Sequence, residues 1–307
     1  MRIAIIDLGT NTFNLLICDK KGESQKTIFK NKIAVKLGEG GIDKGIIAHA
    51  PYQRGIKALE DHLNTIKEYD VDKVRAFATS AIRSTNNGAD FVSEVFEKLA
   101  LKIEVIDGDK EAELIYQGVR KAIPFDLDYK LIMDIGGGST EFIIANAEGV
   151  QWKKSYQLGV SRLKELFKPK DPITQEEIQT IEHHLKSELK DLIENIQTFK
   201  CKTLIGSSGS FDTLVEMIGF KFNNLELKNK KPCCDILLEH YKWAQDFLIQ
   251  STISERLNTK GIIIMRADMI VLSVIFINFV LREFDIKEMI RSKYALKEGA
   301  MHYYFLR

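Results

Sequence analysis

The sequence predicts an α/β protein of two related halves, with mixed sheets set around a central cleft. Three observations lead there. The N-terminal third alternates strand and helix patterns. One strand–turn–strand unit occurs twice without a gap, at Asp7-Leu8-Gly9-Thr10-Asn11-Thr12 and at Asp134-Ile135-Gly136-Gly137-Gly138-Ser139. With 307 residues, 45% of them hydrophobic and 28% charged, the chain can bury ordinary cores and suits two domains better than one.

Taken in order, apolar runs bounded by turn residues predict strands over Arg2 to Asp7, Phe13 to Asp19 and Ser24 to Lys36. A helix from about Ala50 to Tyr69, a strand Lys73 to Ala78, a helix Gly88 to Leu99 and a strand Lys102 to Ile106 follow, which is a mixed-sheet α/β pattern. Ala112, Ile115, Tyr116, Val119 and Ile123 then recur at helical spacing until Pro124 ends the helix. The second copy of the unit begins just beyond, so the division falls between residues 1–124 and 125–307. Downstream, Thr174-Gln175-Glu176-Glu177 is a capping box opening a long helix striped by Ile178, Ile181, Leu185, Leu189, Leu192 and Ile196. Its polar face, with His183 and His184, belongs in solvent. A strand Thr203 to Ile205 leads into Gly206-Ser207-Ser208-Gly209-Ser210, and the rest is mostly helical apart from a Lys-rich loop near Asn223 to Pro232. Met269 to Leu281 is apolar but broken by Ser273 and Asn278, and it falls short of the roughly 20 residues that span a bilayer. It is expected to be a buried helix.

Bulk charge excludes one class of function. The 44 Lys and Arg against 43 Asp and Glu leave a net charge of +1, so a nucleic-acid binder working by bulk charge is not expected and any anion must be held locally. The N-terminus enters a strand at once, without the apolar segment of a signal peptide, and a cytoplasmic setting is expected. Cys18, Cys201, Cys233 and Cys234 form no CxxC pair, which suits a reducing compartment. None of the six histidines has ligand spacing, so no zinc site is assigned.

The chemistry starts at the repeated unit. Laid on one another, the copies match Asp7 with Asp134, Gly9 with Gly136, Thr12 with Ser139, and Leu15-Leu16-Ile17 with Phe142-Ile143-Ile144. A lone strand followed by D-x-G can be a plain hairpin whose aspartate accepts turn N–H bonds. Two such turns facing each other would grip a phosphate chain, with N–H groups and hydroxyls on the anion and carboxylates beside it for a divalent cation. Ala76-Phe77-Ala78-Thr79-Ser80-Ala81-Ile82-Arg83 brings hydroxyls and a guanidinium to the carboxyl edge of the sheet, where Arg83 is either a phosphate clamp or the partner of a nearby acid. Glu111 lies in the first turn of its helix, either to serve the helix dipole or to activate a water. The Gly206 to Ser210 segment, with Gly209 and Ser210, is either a third anion-binding turn or a simple N-cap. Arg266 and Asp268 are expected to form an ion pair at the entrance of the apolar helix.

As a set, these motifs resemble the exopolyphosphatase and guanosine pentaphosphate phosphohydrolase (Ppx/GppA) family, within the actin-like superfamily. The matching segments are DLGTNTFNLLI at Asp7, LGEG at Leu37, ATSAIRSTNN at Ala76, GDKEAELIYQGV at Gly108, DIGGGSTEFII at Asp134, QLGVSRL at Gln157, GSSGS at Gly206 and SKYALKEGA at Ser292, in family order. The resemblance implies two actin-like, ribonuclease H-like domains around a cleft, with the last helix returning to the first domain. It also implies Mg²⁺-dependent hydrolysis of the terminal phosphate of polyphosphate or of the 5′-terminal phosphate of guanosine pentaphosphate, by a homodimer. Residue by residue, Asp7, Asp134 and Glu111 align with metal-holding carboxylates. Thr10, Asn11, Thr12, Gly136, Gly137, Gly138 and Ser139 align with phosphate loops, Arg83 with a phosphate-binding arginine and Glu111 with the catalytic glutamate. The chain departs from the usual pattern at Lys36, Lys110, Ser273 and Lys297, and it is similar to short members without further C-terminal helical domains.

Three readings follow. The first is a phosphoanhydride hydrolase, with Glu111 aligning a water. The second is a phosphotransferase using an acceptor in place of water, for which Glu111 is less natural. The third is an alarmone or nucleotide sensor without turnover, towards which only Lys110 leans.

Overall fold

The computed structural model describes residues 1–21, 24–224, 227 and 231–305, and part of the Lys-rich loop expected near Asn223 to Pro232 lies outside them. Two mixed sheets carry the architecture. In the first, β1 (Arg2–Leu8), β2 (Thr12–Lys21) and β3 (Ser24–Ala34) form an antiparallel meander, and β4 (Lys73–Ala78) and β5 (Ile103–Val105) add on in parallel, giving the order β3-β2-β1-β4-β5. In the second, β6 (Lys130–Ile135), β7 (Thr140–Asn146) and β8 (Gly149–Tyr156) repeat the meander. There β9 (Thr203–Ser207) and β11 (Glu288–Ser292) run parallel, with β10 (Cys233–Asp235) antiparallel at the edge. Without β10, the second sheet reads β8-β7-β6-β9-β11, the same order as the first. This duplicated strand order is the expected actin-like, ribonuclease H-like architecture.

Helices connect and cover the sheets as α1 (His49–Glu68), α2 (Ser80–Arg83), α3 (Gly88–Leu99), α4 (Gly108–Ala122), α5 (Val160–Phe167), α6 (Gln175–Glu188), α7 (Lys190–Phe199), α8 (Ser208–Lys221), α9 (Leu238–Gln250), α10 (Ile253–Leu257), α11 (Ile270–Glu283) and α12 (Leu296–Phe305). Strands covered on both faces must be apolar throughout. Hence the continuous runs Ile3 to Ile6 and Leu131 to Met133, which are buried. Ile6, Leu8 and Phe13 pack with Phe91 of α3 in one core, and Met133 and Phe142 pack with Phe211 of α8 and Phe276 of α11 in another. A third core joins the opposite faces, where Ile3, Ile5 and Phe77 meet Ile132, Ile143 and Ile205 through residues of α4 and α12.

The crossing of α4 and α12 depends on two glycines. A Cβ on Gly118 would stand 2.1 Å from the Ala295 carbonyl oxygen, and one on Gly299 would stand 1.7 Å from that of Leu114. Only backbones without side chains there let the helices touch. In this way the last helix comes back to the N-terminal half, against α4 and β1.

The capping box forms as expected: the Glu177 N–H donates to Thr174 Oγ1 at 3.3 Å, and Glu177 Oε2 accepts from the Thr174 N–H at 2.8 Å. The single long helix does not. It bends into α6 and α7 at Leu189, whose ψ swings to 20°. The apolar stripe survives the bend, because Leu185, Leu189 and Leu192 all stay fully buried. Of the two exposed histidines expected, His184 packs edge-on to Phe167 at 5.3 Å. Among the described residues, no helix is long and apolar enough to cross a membrane.

Candidate active site

The apolar cores of β1 and β6 place Asp7 and Asp134 near the ends of equivalent strands, and the turns that follow are built alike. Gly9 N–H donates to Thr12 O at 3.1 Å, and Gly136 N–H donates to Ser139 O at 3.0 Å. These turns face each other. A Cβ on Gly137 would lie 2.8 Å from Asn11 Cγ, and one on Gly138 would lie 2.6 Å from Thr10 Oγ1 and 2.7 Å from Ser80 Oγ. The glycines are therefore required by the approach of the opposite turn. Ser161 Oγ donates to Asn11 Oδ1 at 2.6 Å, and Arg162 donates to Gly138 O, Ile42 O and Ser84 Oγ, so α5 ties the second turn to the first half of the chain.

Strand register sets a row of side chains on each sheet. In the first sheet Lys32, Asn14, Asp7 and Phe77 lie side by side on β3, β2, β1 and β4. In the second, Ser155, Glu141, Asp134 and Ser207 take the equivalent places on β8, β7, β6 and β9. Asn14 Nδ2 donates to Asp7 Oδ2 at 3.0 Å, while Asp134 Oδ2 accepts from Ser207 Oγ at 2.5 Å. Glu141, which sequence reasoning missed, accepts from Ser139 and Ser155 at 2.7 and 2.6 Å. The signal was present: the gapless alignment lays Glu141 on Asn14.

Burial in this cleft shifts the carboxyls upward. Desolvation raises Asp7 to about 6, against the pull of Lys297 and the Asn14 hydrogen bond. It raises Glu141 to about 7, helped by the charge of Asp134. Asp134 also rises through burial, with Ser207 and Ser208 opposing.

Glu111 follows from the start of α4. Asp107 caps that helix by accepting from the Lys110 N–H at 2.7 Å, which turns Glu111 into the cleft with 6% of its surface exposed. Burial and the negative charge of Glu141 hold its carboxyl well above the usual range, although Arg83 opposes both. Arg83 Nη1 donates to Glu111 Oε2 at 2.9 Å and to Ile106 O at 2.8 Å. Of the two roles open to Arg83, the structure shows the partner of an acid, and that acid is Glu111.

Other expected site residues divide. Thr10 to Thr12 and Gly136 to Ser139 all line the cleft, as do Asp7, Asp134 and Glu111. Gly209 and Ser210 line it too, but Arg266 covers Gly209, and Ser210 Oγ lies 2.8 Å from Ser273 Oγ. The expected Arg266–Asp268 ion pair does not form. Arg266 donates to Gly209 O and to Thr213 Oγ1, whereas Asp268 accepts from Lys164 at 2.7 Å, with Lys36 3.9 Å away. Lys110 places its ammonium 3.2 Å from the centre of the Tyr303 ring.

A magnesium ion fits the donors present. Mg²⁺ typically takes one or two carboxylates and completes its shell with waters and substrate phosphates. Asp7 and Asp134 supply hard oxygens on facing walls, and the fully buried Ser80 hydroxyl at Gly138 has no protein partner. Asp7, Asp134 and Glu111 do not make a closed clasp: among the described residues, no three His, Cys, Asp or Glu side chains gather closely enough to hold a metal unaided.

Comparison with known proteins agrees with this geometry. The Ppx/GppA phosphatase family matches residues 16–306. The structure superposes on an exopolyphosphatase from Cytophaga hutchinsonii with a TM-score of 0.94 and 37% identity, covering 98% of this chain and 97% of the other. A bifunctional 3-dehydroquinate synthase/phosphatase of Fusobacterium nucleatum is 33% identical over 228 residues, 70% of this chain and 34% of that one. A guanosine-5′-triphosphate,3′-diphosphate pyrophosphatase of Photobacterium profundum is 28% identical over 301 residues, 97% of this chain and 58% of the relative. The chain thus spans only a third to three-fifths of the length of these two relatives.

Proposed function

Because this chain belongs to the Ppx/GppA phosphatase family, we propose that its cleft hydrolyses the terminal phosphoanhydride of inorganic polyphosphate, or the 5′-terminal phosphate of guanosine pentaphosphate, with Mg²⁺. One observation carries the reading: two equivalent turns face each other across a cleft into which the desolvated Glu111 is turned from the start of α4.

The turn N–H groups of Thr10 to Thr12 and Gly137 to Ser139 surround a terminal phosphoryl group with donors that need no rearrangement. Asn11 contributes through its backbone, since Ser161 already holds its side chain. Asp7 and Asp134 would hold magnesium, which when bound neutralises charge on the phosphate oxygens. Glu111 orients a water in line with the scissile bond and takes its proton. A carboxylate raised towards neutrality is a stronger base than an ordinary one. Arg83 keeps that carboxylate in one orientation, and Glu141 keeps its proton affinity high through like-charge repulsion. The family resemblance further supports a homodimer and a division into 1–124 and 125–307. Lys110 gives the sensor reading no support, because its ammonium lies over Tyr303.

The test is phosphate release by purified protein with Mg²⁺, from polyphosphate of several lengths and from guanosine pentaphosphate. Release from either supports the proposal and names the substrate. Ligand binding without release would replace it with the sensor reading, and ATP formed from polyphosphate on adding ADP would make the protein a phosphotransferase.

A further inference from the structure

We infer that a second cavity, beside the central cleft, is a binding site for a small amphipathic anion, an apolar body with one acidic headgroup, and that its occupancy is felt in the cleft through Lys164. The cavity measures about 390 Å³, within the range of small-molecule sites. It lies between α5, the segment running on to Ile173, α10 and the start of α11, and none of its lining residues lines the central cleft. Ile173, Val271 and Leu272 supply buried apolar walls, and Ile253 adds an exposed apolar edge. Arg256 holds these pieces together. With 3% of its surface exposed, it donates to Ala267 O at 2.7 Å, to Ser251 O and to Asp171 Oδ1 at 2.5 Å, tying α10 to the segments before α11 and after α5. A cavity braced in this way is formed before a ligand arrives, which lowers the cost of binding.

The lining charges choose the headgroup. Of the three carboxylates, Asp171 is taken by Arg256 and the Ile253 N–H, Asp268 by Lys164 at 2.7 Å, and Glu165 accepts from the Gly40 N–H at 3.2 Å. Glu177, which feels the charge of Lys170 from outside the lining, accepts from the N–H groups of Lys170 and Thr174. Among the described residues, no carboxylate lies within 4 Å of the Lys168 or Lys170 ammonium, so two exposed cations stand at an apolar cavity without a contact partner. Apolar walls offer an inorganic anion nothing, whereas an apolar body fills them and its acidic head meets the lysines. The link to the cleft is short. Lys164, Glu165 and Asp268 also line a passage together with Asn11 and Lys36, which belong to the cleft. Asp268 Oδ2 lies 2.7 Å from Lys164 and 3.9 Å from Lys36, and its buried Oδ1 has no hydrogen-bond partner among the described residues. A headgroup that draws Lys164 away leaves Asp268 to Lys36, and a cation neutralised in this way attracts a polyanion in the cleft less.

Anilinonaphthalene sulfonate, an aromatic body with one sulfonate, is the probe, read by its fluorescence on the full chain. It is expected to bind at a single site, from which octanoate displaces it and octanol does so only at about tenfold higher concentration. Lys168→Glu with Lys170→Glu, at exposed positions that leave the fold intact, should weaken the dye about tenfold. Val271→Trp fills the cavity and should abolish binding, with thermal unfolding as the check on its fold. Binding that survives both variants, or octanol displacing the dye as well as octanoate does, overturns the site. So does an absence of binding, and a dimer of the unsubstituted protein that Val271→Trp dissociates would then name a second copy of the chain as what covers the cavity. For the link to the cleft, polyphosphate is titrated with Mg²⁺ into the Glu111→Gln protein, where octanoate should weaken it about fivefold. Unchanged polyphosphate affinity with the dye displaced overturns the link and keeps the site. The dye measurement does not depend on what the cleft hydrolyses, so it stands or falls apart from the phosphoanhydride reading.

Discussion

The two sheets repeat one strand order, yet the rows they present to the cleft differ in charge. The first runs cation, amide, acid, apolar through Lys32, Asn14, Asp7 and Phe77; the second runs hydroxyl, acid, acid, hydroxyl through Ser155, Glu141, Asp134 and Ser207. In the first row an amide satisfies the carboxylate, so the wall is suited to holding a polyanion. In the second, two acids sit side by side and three serine hydroxyls hold them, a wall suited to raising proton affinity near Glu111. The frame is shared by the two halves, and the residues set within it differ in charge and in hydrogen bonding.

The largest expected effect comes from the proposed base. Glu111→Gln should lower kcat about a thousandfold while polyphosphate still binds; unchanged turnover would move the base into the second row, to Glu141. Making the second row resemble the first is next. Glu141→Gln should reduce kcat about a hundredfold and, by removing a negative neighbour, shift the acid limb of the pH–rate profile to lower pH. A limb that stays in place would show that Glu141 and Glu111 do not share their protons. In the reverse exchange, Asn14→Asp puts a charge beside Asp7 and should raise KM for polyphosphate about tenfold; no change would mean that the first row does not touch the polyanion.

A smaller effect is expected on stability. Asp7 and Glu141 hold protons to about 6 and about 7 when folded, above their unfolded values, so between about pH 4 and pH 7 the folded protein binds more protons than the unfolded chain. Stability from these groups therefore falls as pH rises through that window. Glu141→Gln should raise Tm by a few degrees at pH 8 and leave it unchanged at pH 4, as measured by thermal unfolding. A lower Tm at pH 8 would show that the serine hydrogen bonds outweigh the burial of charge.

Much of this was legible in the sequence. The duplicated turn brought out Asp7, Asp134 and both glycine turns because strand, carboxylate and glycine are contiguous, and the Asp107-Gly108-Asp109-Lys110 segment before the helical spacing placed Glu111 in the first turn of α4. What escaped depends on partners far apart in the chain. Arg266 and Asp268 are sequence neighbours, yet Gly209 and Lys164 take them in different directions. Lys32 joined the first row only through register, because a lysine on a strand reads as solvated until its cross-strand neighbours are known. The bend at Leu189 left no mark in the apolar stripe, which runs through it without a missed position.

The most direct measurement is a crystal structure of the Glu111→Gln protein with Mg²⁺ and polyphosphate. The account predicts the terminal phosphate within hydrogen-bonding distance of both Thr10–Thr12 and Gly136–Ser139, with the substituted side chain beside it. A phosphate held by one turn alone, or bound outside the cleft, would contradict it.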